Sequence, residues 1–347
     1  MAFALLLRVE PDGPWRLGPS SGQRDQVDLV LRSDTVFAAV SAAMAALGRL
    51  EEWLAATAAR DGSSAVRFTS GFPWRDDILW IAPPRHLWPP PAAGKLRAKG
   101  ARFIPVPLAA ALVAGAPFEE DAWGVDGESG CLLPREYLAK RGGPFRIAVR
   151  AAAAVDRVTA ATAAPHLTAC LEFAESAGFW LAAEFASKAD RDLWLGPLEA
   201  AFRLLADSGI GGERSRGWGR FRIREMRSGE LPGLVLPEIG TPSPDQEQEA
   251  AATTAWWLLS LYSPSPGDSV HWRAGCYSLL TRGGRVESPA GWGVSKKRLR
   301  MIEEGSVLVA PSSPLGKATN VAPDGFPHPV YRAGFAVAIP VPWRGAS

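Results

Sequence analysis

The sequence predicts an α+β protein whose N-terminal part is ferredoxin-like. Three observations predict it. Strand, helix, strands, helix and strand signals follow one another between residues 2 and 224, the order of a split βαβ unit. Two stretches, from Val36 and from Leu198, carry apolar residues at helical spacing. Gly and Pro number 35 and 30 in 347 residues, which favours turns and loops over long helices. At about 150 residues per domain the length suggests about two domains, each able to bury a core.

The elements follow in order. Ala2 to Val9 is a continuous apolar run of strand length. After a Gly/Pro/Ser-rich loop, Ser33-Asp34 offers a helix N-cap, and Phe37, Val40, Met44, Leu47, Leu50 and Leu54 give one buried helical face to about residue 59. Val66–Thr69 and Ile78–Ile81 are short strand-like runs, and Ser70-Gly71-Phe72-Pro73 between them reads as a turn. Residues 83–144 change character: prolines at 83, 84 and 89–91, basic Lys95, Arg97, Lys99 and Arg102, then glycines near 124–130. A structureless stretch of that length is uncommon in a compact domain, so it is expected to be a long inserted arm.

Arg146–Val149 reads as a strand returning to the sheet. Residues 167–173 and 179–185 alternate about Ser176-Ala177-Gly178 and predict a hairpin. Pro197 suits a helix's first turn, and Leu198, Ala201, Phe202 and Leu205 carry that helix to a C-cap at Gly209. Phe221 and Ile223 alternate with Arg220, Arg222 and Arg224, a strand with one apolar and one basic face. The first domain is thus expected to span 1–227, with the arm at 83–144. Residues 228–250, rich in Pro, Gly and acids, make a linker, and 251–347 a second, β-rich domain without a convincing long helix.

Lys plus Arg exceed Asp plus Glu by 38 − 36 = 2, so bulk charge does not announce a nucleic-acid binder, and any such function must lie in a local patch. No apolar run approaches the roughly 18 residues that span a bilayer. The start lacks a signal-peptide pattern, so the expected location is the cytoplasm. Cys131, Cys170 and Cys276 are far apart and never in C-x-x-C, which argues against a disulfide framework or structural zinc.

The sharpest feature is Gly209-Ile-Gly-Gly-Glu-Arg-Ser-Arg-Gly-Trp-Gly-Arg-Phe221, with five glycines and three arginines in thirteen positions. Glycines let a backbone approach phosphate and present successive N–H groups to an anion. Arg214, Arg216 and Arg220 add forked donors suited to phosphate oxygens. A dinucleotide fingerprint follows a strand and opens a helix, whereas this loop follows a helix and opens a strand. A Walker motif fails too, because Trp218 stands where its lysine should be.

A helix, a loop of the form GxGGxRSxGxGxF and a strand closing a ferredoxin-like unit resemble the signature of the RAMP superfamily of CRISPR RNA-binding proteins. Ser33-Asp34-Thr35-Val36-Phe37, Ser70-Gly71-Phe72-Pro73, the Pro-rich run into Lys95, Val155-Asp156-Arg157-Val158-Thr159 and Val330-Tyr331-Arg332-Ala333-Gly334 are similar to one branch of it. That branch is the type III-A (Csm) effector subunit holding the 5′ repeat-derived handle of the crRNA. The resemblance implies two ferredoxin-like (RRM-like) modules and, with the context of the loop, a non-catalytic subunit; no cofactor or metal is expected from the residues. It implies as partners the crRNA 5′ handle, the large polymerase/cyclase subunit, a backbone RAMP subunit and target RNA near the arm. The implied RNA contacts are Gly211, Gly212, Arg214, Ser215, Arg216, Gly217 and Gly219, then Arg157 and Ser33, with Lys95, Arg97, Lys99 and Arg102 on the arm; Gly209 and Arg220 of the same loop complete the RNA-binding candidates.

Plainer roles compete with each of these. The glycine loop can be a tight connection, Ser33-Asp34 an N-cap, the arginine face and the 95–102 cluster solvated charge, and Lys296-Lys297-Arg298 a surface cluster. Most of the fourteen tryptophans, such as Trp53, Trp194, Trp256 and Trp257, are expected in the core. The enzymatic alternative is a metal-independent repeat-processing endoribonuclease using His166 or His86 with Arg214 or Lys95. His271 and His328, the acids at 119–121 and Asp76-Asp77 suggest no site of their own.

Overall fold

The computed structural model describes residues 2–18, 23–60, 64–90, 100–153, 155–156, 158–159, 165–236, 254–288 and 290–343. Its centre is an antiparallel sheet. Strand β1 (Ala2–Pro11) lies between β10 (Ala177–Phe185) and β11 (Phe221–Leu231). Strands β2 (Val66–Phe68) and β3 (Phe72–Arg75) pair with β10, and β4 (Ile78–Ile81) and β5 (Ile104–Pro105) extend the sheet beyond β3. The crossovers are α1 (Ser33–Ala46) with α2 (Leu50–Ala56), and the last helix of the chain, Lys188–Ser208. With α3 (Val106–Val113) and α4 (Arg135–Arg141) between them, that helix is α5.

Both faces of the sheet are covered, which explains the unbroken apolar run of β1. Successive strand residues point to opposite faces. Leu5, Leu7 and Val9 enter a core with Val36, Phe37, Trp53, Trp194, Leu198 and Phe202 of the helices. Ala4, Leu6 and Trp180 enter another with Trp74, Trp80, Phe103, Leu132, Trp257, Val307 and Ile339. The second core therefore joins residues on both sides of the expected linker.

Several sequence readings need correction. The long first helix is broken at Leu47–Arg49, where Gly48 takes a φ of +71°, a conformation natural to glycine. Its N-cap is Arg32, without a side-chain cap. The Ser33 hydroxyl instead accepts from the Leu261 N–H at 3.0 Å. Phe72-Pro73 belong to a strand, and the turn is at Asp76, with φ +52°. Pro197 lies deep inside α5, because the Ser187 side chain accepts from Asp190 N and caps the helix earlier.

Strands β8 (Phe145–Ala152) and β9 (His166–Phe173) pair with each other and not with the central sheet. The predicted β9–β10 hairpin is absent because β10 already has β1 on one edge and β2 and β3 on the other. Nor are residues 100–143 structureless. With β5, α3, the strands β6 (Trp123–Val125) and β7 (Leu132–Pro134), and α4, they bury Phe103, Ile104, Leu112, Leu132 and Leu133 against the sheet. Of the expected linker, 228–231 continue β11 and Leu236 is buried, whereas 237–250 lie outside the described residues.

Beyond the linker the chain forms β12 (Thr254–Leu258), β17 (Val307–Val309) and β20 (Ala338–Pro342) in the order β17-β12-β20. Antiparallel pairs intervene: β13 (Leu279–Arg282) with β16 (Leu299–Ile302), β14 (Arg285–Ser288) with β15 (Gly291–Ser295), and β18 (Gly316–Asn320) with β19 (Tyr331–Phe335). No helix occurs among the described residues of this part. Pairs of strands occupy the connections between the three strands of this sheet.

A buried ion cluster fixes the two parts in register. Asp34, at the start of α1, accepts from Arg282 at 3.0 Å through both carboxylate oxygens and is also paired with Arg332. Arg32 reaches Asp28 at 3.0 Å, Glu304 at 2.6 Å and Glu303 at 3.2 Å. Burial alone would push the Asp34 carboxyl up, but the Arg282 and Arg332 guanidiniums overcome it and hold the carboxyl at about 2.

Candidate nucleic-acid interface

The glycine loop begins where α5 ends. Gly209, with φ +84°, closes the helix by donating to Leu205 O at 2.8 Å. Ile210 is buried and donates to Gly219 O at 3.0 Å, pinching the loop at its base. Gly212 N donates to Arg16 O at 2.9 Å and Gly219 N to Pro14 O at 3.0 Å, so the loop leans on the segment that follows β1.

These contacts explain three of the glycines. A Cβ on Gly209 would lie 2.7 Å from Trp218 O, one on Gly211 would strike Arg16 O, and one on Gly219 would strike Ile210 O. Gly217 differs. Nothing lies within 4 Å of its Cβ position, but its φ is +80°. The crest between them is a 3-10 turn, Arg214–Arg216, entered through Glu213 at φ +60° and left through Gly217. The N–H groups of Glu213, Arg214 and Ser215 have no acceptor among the described residues. Ser215, Arg216 and Arg220 are exposed. The crest can thus offer successive backbone donors, a hydroxyl and forked cations to an anionic chain.

Two of its three arginines already hold carboxylates. Arg214 pairs with Glu287 of β14, Arg216 with Glu213 at 3.3 Å, and Arg222 with Asp12 at 3.0 Å. Arg220 and Arg224 make no ion pair among the described residues. Glu287 escapes sequence reasoning, being one exposed acid in a short strand.

The supporting segment escapes it too. Trp15 is fully buried among Phe173, Phe179 and Phe221, and its indole N–H donates to Arg220 O at 3.2 Å. Its backbone exchanges hydrogen bonds with Leu171 of β9, at 3.0 and 2.8 Å. The Arg16 guanidinium donates to the carbonyls of Arg24, Gln23 and Ala169 at 2.9, 3.1 and 3.1 Å. Burial pulls the pKa of Arg16 down, and Glu213 opposes that pull. One short segment therefore seats both the glycine loop and the base of the β8–β9 ribbon. A Pro-Trp-Arg triplet within a turn-rich stretch gave the only signal.

The remaining sequence candidates are dispersed. Ser33 is 5% exposed and its hydroxyl is engaged with Leu261, so its side chain is spent on joining the two parts. Arg102 lies beside Gly130, to whose carbonyl its N–H donates at 2.8 Å. Lys95, Arg97, Lys99 and Arg157 lie outside the described residues. His166 stands opposite Ala152 on the ribbon, and the His86 ring lies tilted against Trp343, with centroids 5.6 Å apart. Neither is hydrogen-bonded to Arg214 among the described residues. The ribbon exposes Ile147, Val149 and Leu167, while Arg146 and Arg150 pair with Glu172. The described residues hold no cluster of His, Cys, Asp or Glu able to bind a metal ion, and none of their helices is long and apolar enough to cross a membrane.

Residues 251–341 match the family model of the CRISPR Csm4 C-terminal domain. Curated protein sequences give no match. Among solved structures, a chain of the Csm1-Csm4 cassette in complex with cA4 is 17% identical with a TM-score of 0.58, covering 98% of both chains. A chain of the Csm3-Csm4 subcomplex in the type III-A CRISPR-Cas interference complex is 14% identical with a TM-score of 0.60, covering 97% of this chain and 98% of that one. At such identities the likeness is one of fold, and it agrees with the resemblance to the Csm branch of the RAMP superfamily. The protein thus carries a CRISPR Csm4 C-terminal domain on an α+β fold shared, over nearly its whole length, with chains of type III-A Csm assemblies.

Proposed function

We propose that this chain is the non-catalytic crRNA-binding subunit of a cytoplasmic type III-A CRISPR effector complex, built from two ferredoxin-like modules. In this reading its glycine loop grips the 5′ repeat-derived handle, and the subunit bridges the large polymerase/cyclase subunit and the backbone filament. The observation that carries the reading is the crest at 213–217, raised beside the second module, with exposed Ser215 and Arg216 and three N–H groups that have no acceptor among the described residues. Strand order adds support. β11, β1, β10 and the β2/β3 edge, joined by helical crossovers, follow the split-βαβ pattern.

The arm moves in this reading. Residues 100–143 are folded against the sheet, whereas the β8–β9 ribbon is tied down at its Phe145 and Leu171 end and exposes apolar side chains beyond it. The ribbon is therefore the element offered to the guide–target duplex. For the enzymatic alternative, neither His166 nor His86 is hydrogen-bonded to Arg214 among the described residues, and Lys95 lies outside them.

The test is a complex reconstituted with Arg214→Ala/Arg216→Ala protein. Its crRNA occupancy should fall, and the slope of log affinity against log salt for handle RNA should become shallower by about 1.4, about 0.7 for each lost single-strand phosphate contact. In EDTA the purified wild-type chain should leave repeat RNA intact. Unchanged occupancy and slope would sink the loop assignment, and cleavage in EDTA would sink the non-catalytic one.

A further inference from the structure

We infer that the Glu287 carboxylate is a resident stand-in for RNA phosphate at Arg214, and that RNA enters the glycine loop by exchanging with it. The inference rests on the reading of the loop as an RNA site and adds how that site is kept when no RNA is bound.

Arg214 stands on the crest of the loop in the first module and Glu287 on β14 of the second, so their ion pair closes the loop against the other part of the chain. A carboxylate presents two oxygens to a guanidinium fork in the way a phosphate does. The fold delivers this carboxylate by a specific device. The β14–β15 register shifts between Arg285 and Glu287, and such an irregularity re-aims the side chain beside it. The next residue is fastened: Ser288 Oγ is hydrogen-bonded to His328 Nε2 at 2.7 Å and accepts from Ala290 N at 3.2 Å. Glu287 is therefore held at Arg214 by its strand.

The pair is also built to open. The side chains of Arg214 and Glu287 are 33% and 58% exposed, and ion pairs that wet contribute little to stability. Behind them lies a cluster of buried charges. Lys296 is half-buried close to Arg332 and Arg282, both of which pair with Asp34, and Arg282 also lies 3.8 Å from Asp28. Burial and those neighbouring arginines pull the Lys296 ammonium down, while Glu287 and Asp34 oppose them. When Glu287 swings away, Arg214 loses its counter-charge and Lys296 loses one of the two that oppose its neighbours. A phosphate restores both. The carboxylate thus lowers affinity for RNA and keeps the crest from binding anions indiscriminately.

The experiment uses the full chain and a fluorescently labelled single-stranded RNA of mixed sequence, with anisotropy titrations of wild type, Glu287→Gln, Arg214→Ala and the double variant at one fixed salt concentration. Deleting a charge about 4 Å from an incoming phosphate in a water-like medium should tighten binding about fivefold in E287Q. That gain should vanish in the R214A background. R214A weaker than wild type while E287Q binds equally or less tightly overturns the stand-in and leaves the loop assignment standing; weaker binding by E287Q would make Glu287 a direct RNA contact. A gain that persists without Arg214 overturns it as well, because the effect would then be general repulsion. R214A equal to wild type overturns the loop assignment itself.

Discussion

The ion cluster that joins α1 to the strands beyond residue 254 makes a quantitative prediction. Asp34 is about as buried as a side chain can be, at 2% exposure, and it is the shared counter-charge of Arg282 and Arg332. Removing one partner of a buried pair costs about 3–5 kcal/mol, because the remaining charge is left uncompensated. Here the low end applies. Arg282 keeps Thr35 Oγ1 at 3.1 Å and Asp28 at 3.8 Å, and Arg332 keeps Gly283 O at 2.7 Å. Asp34→Ala should therefore cost about 3 kcal/mol in urea denaturation.

The acid limb gives an independent figure. The folded carboxyl lies at about 2, below its ordinary 3.8, which corresponds to about 2.5 kcal/mol at about 1.4 kcal/mol per pH unit. Because the folded value is depressed, this stability is fully present above pH 3.8 and is lost as pH falls towards 2. Asp34→Asn imitates the protonated form, so the gap between it and wild type should stay constant above pH 4 and close below. An alanine variant within about 1 kcal/mol of wild type, or a gap that does not close in acid, would refute the reasoning.

Two further outcomes follow from local geometry. Gly219→Ala drives a methyl into Ile210 O and should lower the unfolding midpoint severely, whereas Gly217→Ala meets only its φ of +80° and should cost about 1–2 kcal/mol; equal losses in thermal melts would contradict the contrast. The thiol of Cys131 is fully buried and burial pushes its pKa up, while Cys276 is only half-buried. Iodoacetamide followed by peptide mass mapping should mark Cys276 first, with Cys131 marked only after unfolding.

What could be read from the sequence was decided locally. β1, the buried face of α5, its stop at Gly209 and the alternation of β11 are all set by periodicity and end signals within a few residues. What escaped is set by partners distant in the chain. Alternation identifies both β9 and β10, yet it cannot say that β10 is claimed by β1 on one edge and β3 on the other, leaving β9 to β8. Residues 100–143 look like loop because their strands are two or three residues long and their composition is rich in Pro and Gly. Phe103, Leu132 and Leu133 become core only because Trp80 and Trp257 supply the other side.

The glycine loop shows where such reading stops. Its glycine spacing announces a backbone that approaches something closely, and the chemical inference from that is phosphate. In the folded chain Gly209, Gly211 and Gly219 approach carbonyls of the protein itself, so these glycines build the loop and leave contact to the crest. Mutating them tests folding. The residues that can test binding are those the glycines raise into solvent, Arg214, Ser215 and Arg216, together with the acids that now face the two arginines. Glu213 lies within the motif, but Glu287 comes from β14, more than seventy residues further along the chain, so the charge that faces Arg214 is supplied by a strand that no reading of the motif alone would include.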